Sequence, residues 1–146
     1  MSRLAMNDVA PEAFKAVMGM EMYARQHVDS ALLHLIKLRA SIVNGCGYCV
    51  DMHSTEALAE GESGRRLFGV AAWREASALF TEKELAAFEL TDSVTRLGDH
   101  GVPDDVWDRA AAQFDKAELA DLLIAIATIN VWNRLAIPTR MDLPNT

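Results

Sequence analysis

Cys46 and Cys49, the only cysteines in the chain, stand three residues apart, and His53 follows four residues after the second. Thiols and an imidazole at this spacing allow three chemistries. The first is a disulfide, because residues i and i+3 of a helix have Cα atoms about 5 Å apart, within bonding range. The loop it closes is so short that the chain-entropy gain is only about 2 kcal/mol, which suits a bond made and broken in use better than a staple. The second is a metal clamp, since Cys46, Cys49 and His53 are common zinc donors and His34 offers a fourth. On one straight helix, however, Cys46 and His53 lie about 10.5 Å apart along the axis, a long reach to a shared ion unless Cys46 precedes the helix.

The third is a redox dithiol. A thiol in the first turn of a helix is favoured as thiolate by the unpaired amides and the positive dipole end found there. His53 is one turn beyond Cys49, and helical side chains lean toward the N-terminus, so it addresses Cys49 rather than Cys46. Cys49 then becomes the attacking thiolate. Cys46 is placed to attack the resulting sulfenic acid and close the disulfide.

These residues need elements to hold them. Asp29 or Ser30 can cap a helix over 31–43, which Asn44-Gly45 ends, and a second helix runs from near residue 46 to about 60, where "GESG" stops it. If the two form an antiparallel hairpin, His34 lies about 15 Å up one arm and His53 about 12 Å up the other, close enough in height to meet. Pro11 opens an earlier helix, and a short one is expected over 65–72. Thr81 and Glu84 form a capping box opening a helix to about residue 97, another follows Pro103, and the last covers 116–135 with Pro138 ending the pattern. Nothing alternates with period two. The expectation is an all-α fold in one domain over 1–146. The segment 119–132, apolar over most of its circumference, should be central to the core, buried between subunits, or both.

The net charge is −7, and no basic cluster is longer than Arg65-Arg66, which argues against nucleic acid or an anionic membrane as the main partner. The first 14 residues lack the apolar core of a signal peptide, and the apolar run 122–129 is too short to span a bilayer. A cytoplasmic location is therefore expected, where a permanent structural disulfide is not.

Residues 35–57, "LIKLRASIVNGCGYCVDMHSTEA", resemble the core motif of the AhpD-like alkylhydroperoxidases, within the carboxymuconolactone decarboxylase superfamily. The stretches 73–95 and 118–137 are similar to those that follow in that family. The resemblance implies a compact AhpD-like helical subunit, assembled as a homotrimer or homohexamer. It also implies a thiol-dependent peroxidase that reduces hydrogen peroxide or organic hydroperoxides without a metal or other cofactor. By position, Cys49 would attack the peroxide, Cys46 would resolve it and His53 would relay the proton. A dithiol reductant is implied as well, a lipoyl-bearing protein for some members.

One position departs from the pattern. Twelve residues before the first cysteine the family commonly has a glutamate, and here His34 stands there, in "HLIKLR". A carboxylate would orient His53 and raise its basicity, whereas a neutral imidazole can hydrogen-bond but brings no negative charge. His34 is kept in the site as an assisting group. Two alternatives stay open: a metal-binding helical oligomer using Cys46, Cys49, His53 and His34, and a decarboxylase-type enzyme of the same superfamily. The intact thiol pair argues against the latter, whose chemistry needs no thiols.

Overall fold

Asp29 opens the helix that carries His34. Its carboxylate accepts the Leu32 N–H at 3.1 Å, and the helix runs Ser30–Asn44. In full, the computed structural model describes residues 1–144. Its helices are α1 Met6–Val9, α2 Pro11–His27, α3 Ser30–Asn44, α4 Gly47–Ala59, α5 Gly64–Gly69, α6 Glu82–Thr95, α7 Asp104–Gln113 and α8 Lys116–Thr139. Two 3-10 turns, Val70–Ala72 and Ser77–Leu79, link α5 to α6. Among the described residues there is no strand, only an isolated bridge between Gly98 and Gly101. The fold is all-α, as the periodicity predicts.

Gly45 ends α3 in the left-handed conformation, with φ of 71°, and the Cys46 N–H returns to the Ser41 carbonyl at 2.9 Å. A Cβ built at Gly45 would meet nothing within 4 Å. The constraint there is the backbone angle alone. Gly45→Ala is therefore expected to destabilise the fold by about 1 kcal/mol, read as a lower denaturant midpoint with an unchanged m-value.

α3 and α4 form the antiparallel hairpin that brings the two histidines together. Their far ends are joined by Ser30 Oγ, which donates to Glu60 Oε2 at 2.5 Å. The near end is tied to α8 by a polar network. The Asn44 side-chain amide donates to Asn130 and Asn133 at 3.0 and 2.9 Å, and Asn133 donates to Ser41 Oγ at 3.1 Å. Arg39 reaches from α3 to fork on Asp92 of α6, at 2.6 and 3.0 Å, and the Trp73 indole donates to the same carboxylate at 3.1 Å. The turn before the thiols is thus held from several sides.

The helix enclosed on all sides is α3, buried without a break from Leu32 to Leu38. Leu33 and Ile36 face a cluster with Leu90, Leu122 and Ile126, while Leu35 and Leu38 face an aromatic cluster of Trp73, Phe80 and Phe88. α8 is more apolar but less enclosed. Leu119, Leu122, Ile126 and Ile129 enter the core, while Ile124 and Ile137 stay exposed.

Two expectations about this last helix change. α8 continues through Pro138 to Thr139, because a proline in the last turn forfeits only one backbone bond there, and Arg140 closes the helix at φ 51°. With 24 residues and a mean hydropathy of 1.3 over its most apolar window, α8 is also long and apolar enough to cross a membrane by composition, which the run 122–129 alone did not reveal. Its buried face instead forms part of the core described above.

Candidate active site

Cys46 is the N-cap of α4 rather than its first residue. Its Sγ accepts the Cys49 N–H at 3.4 Å, and the two cysteines are joined as a disulfide with Cα atoms 5.3 Å apart. The pair packs on Ala136 of α8, with Tyr48 at its side. Both sulfurs therefore lie at the positive end of α4, where a thiolate is stabilised.

The two cysteines are not equivalent. A cavity of about 230 Å³ between α2, α4 and α8 is lined by Cys49 and His53 and not by Cys46. The rest of its wall is largely apolar, with Phe14 set edge-on to Trp132 at 5.3 Å and Met18 and Met52 beside them. Glu21 and Arg25 supply its polar end.

His53, 1% exposed, sits beneath that wall. Burial pushes its imidazole below the ordinary range, with Glu56 pulling the other way. The ring is thus held in the neutral form that can accept a proton. Glu56 Oε2 lies 3.4 Å from His53 Nδ1, and the imidazole beside it lowers the Glu56 carboxyl. His34 joins the same group: one nitrogen from each imidazole and one Glu56 oxygen lie within 4.8 Å of one another. On its other side, His34 Nε2 is 3.1 Å from Glu60 Oε2.

Of the residues singled out from the sequence, Cys49 and His53 share the cavity, His34 meets His53, and Cys46 bonds to Cys49. Sequence reasoning missed Glu56, Glu21 and Arg25. Glu56 was legible in principle, since it follows His53 by three residues and so shares its helix face. It supplies, from α4, a carboxylate beside His53 where position 34 has none. Glu21 had no local signal. It is 4% exposed on α2 and bonds the buried Lys37 ammonium, accepting also from Arg25 Nε at 2.8 Å and the Trp132 indole at 3.1 Å. Burial alone would raise its carboxyl, but Lys37 and Arg25 outweigh it and hold the group below the usual range.

A family model for the carboxymuconolactone decarboxylase family matches residues 10–93. The chain belongs to the carboxymuconolactone decarboxylase family. Within the wider set of similar proteins, YdfG, an uncharacterized protein of Bacillus subtilis (strain 168), is 36% identical over 136 residues, 92% of each chain. YnjA, an uncharacterized protein of Escherichia coli (strain K12), is 30% identical over 82% of this chain and 64% of its own. A solved structure from Agrobacterium tumefaciens, ATU0492, is similar over the whole of both chains, with a TM-score of 0.95 and 40% identity. That protein is of unknown function and is described as a candidate antioxidant defence protein AhpD. The debrominase Bmp8 shares the fold over 92% of this chain and 73% of its own, with a TM-score of 0.81 at 18% identity. This member of the carboxymuconolactone decarboxylase family is accordingly AhpD-like in fold.

Proposed function

We propose that the chain is a thiol-dependent peroxidase acting on small hydroperoxides. The observation that carries this reading is the division of the thiol pair: Cys49 and His53 open onto the apolar cavity, while Cys46, bonded to Cys49, does not. Reduced Cys49, as thiolate, attacks the distal peroxide oxygen. The O–O bond breaks, Cys49 becomes a sulfenic acid, and the departing alkoxide leaves as alcohol with the proton that His53 took from the thiol. Cys46 then attacks the sulfenic sulfur, expelling water and closing the disulfide. Two electrons from a dithiol reductant, a lipoyl-bearing protein in this proposal, restore the pair.

Glu56 supports the imidazolium formed in the first step with a carboxylate charge, which an imidazole at position 34 does not carry. The cavity's apolar wall favours organic hydroperoxides over hydrogen peroxide. Assembly as a homotrimer or homohexamer in the cytoplasm completes the proposal, supported by the family and by the apolar side chains Ile124 and Ile137 that α8 leaves exposed.

Thiol counting tests the chemistry directly. An organic hydroperoxide added to the reduced protein should consume both thiols. Cys46→Ser should stop the reaction one step earlier, with one equivalent of sulfenic acid captured by a nucleophilic trap. Two thiols left intact in folded protein under excess hydroperoxide would rule the reading out.

A further inference from the structure

His34, His53 and Glu56 converge more closely than a single proton relay requires. Both histidine side chains are over nine-tenths buried, at 9% and 2% exposure. Apart from the approach of Glu60 to His34 Nε2, their ring nitrogens have no hydrogen-bond partner, and neither has Glu56 Oε2. Buried polar atoms normally have a partner, and several unpartnered ones converging on one point call for a shared explanation. The spacing says which kind. His53 Nδ1 and Glu56 Oε2 are 3.4 Å apart, long for a hydrogen bond between nitrogen and carboxylate. Two donors each about 2.1 Å from a tetrahedral ion stand about 3.4 Å from each other.

We propose that His34, His53 and Glu56 form a binding site for a divalent transition-metal ion of the zinc class. Two imidazole nitrogens and one carboxylate oxygen suit zinc, cobalt or nickel and not calcium or magnesium, which take oxygen shells. The surrounding groups are those that orient metal ligands. The carboxylate of Glu60 lies 3.1 Å from His34 Nε2 and helps fix the orientation of that ring. Arg25 Nη2 lies 3.8 Å from Glu56 Oε1, which leaves Oε2 facing His53. The ion would reach the site through the cavity, which His53 lines. This donor set differs from the Cys46–Cys49–His53–His34 clamp that the sequence allowed, because the cysteines are bonded to each other. It shares His53 with the proposed proton relay, so metal and proton compete for that ring. Binding itself does not depend on the peroxide chemistry.

The test uses the full chain in its oxidised form, in which neither cysteine can serve as a ligand. The protein is stripped with a chelator, dialysed free of it, and titrated with Co²⁺ by visible d–d absorption and with Zn²⁺ by calorimetry. One bound equivalent is expected. His34→Gln and Glu56→Gln should each weaken binding by about tenfold or more, given that even supporting groups around a metal are worth that much. Replacing the exposed His27 and His100 by Gln should leave it unchanged. Circular dichroism establishes which variants are folded, and if His34→Gln is not, the isosteric Glu56→Gln decides alone. Absence of saturable binding overturns the proposal, as does binding that survives Glu56→Gln undiminished. Because no step is read through peroxide turnover, a failed peroxidase assay leaves this result standing on its own.

Discussion

Cys49→Ser is expected to abolish hydroperoxide turnover while leaving the fold intact. Serine is close in size to cysteine, and the site packs a small side chain against Ala136 and Tyr48, so little packing is lost. The chemistry is lost entirely. A hydroxyl is un-ionised near neutral pH and cannot attack an O–O bond as a thiolate does, so the rate should fall to that of buffer. Steady-state consumption of an organic hydroperoxide with a dithiol reductant measures this, and a thermal midpoint close to that of the natural chain excludes unfolding as the cause. Cys46→Ser should differ in kind, losing sustained turnover but keeping a first stoichiometric reaction at Cys49. Equal first-turnover rates in the Cys49→Ser and natural chains would remove Cys49 from the attacking role.

Glu21→Gln should be the most damaging conservative change to stability. It leaves the Lys37 ammonium, with a side chain 2% exposed, without an anion, and among the described residues Glu21 alone bonds it. Breaking one side of such a pair costs roughly 3–5 kcal/mol. For a chain of this length that corresponds to a fall in thermal midpoint of roughly 10 °C or more. Lys37→Met combined with Glu21→Leu should recover much of the loss, since no charge is then stranded, and the double-mutant cycle isolates the pair. The acid dependence carries a sign as well. The folded Glu21 carboxyl lies below the ordinary carboxyl range, so ionised Glu21 is favoured by folding. That contribution is complete above the ordinary carboxyl range and is lost as acid protonates Glu21 in the folded state. Glu21→Gln should therefore flatten the fall of stability on acidification.

The hairpin was legible because each of its signals is local. Asp29 caps, Gly45 stops, the cysteines and His53 share one helical register, and similar arm lengths bring His34 to His53. Glu56 lies within reach of the same reasoning, one turn past His53. Glu21 does not, because its partner Lys37 is on another helix and the packing of α2 on α3 has no sequence pattern of its own. The same pairing concealed the place of α3. His34 and Lys37 make its face look half-polar beside the more apolar α8, yet α3 is the helix enclosed on all sides while α8 enters the core with one face. Polar residues conceal burial when their partners come from elsewhere in the chain.

The Cys46 sulfur that caps α4 also bears on how the disulfide is reopened. An incoming thiol must strike one sulfur and expel the other, and departure is faster for the sulfur that carries negative charge more comfortably. Cys46 is the better leaving group here, because the Cys49 amide and the helix dipole await its charge. Cys49 is the sulfur on the cavity side. A reductant entering by that route would form its mixed disulfide with Cys49 and release Cys46 into the cap, so oxidant and reductant would use one doorway in turn.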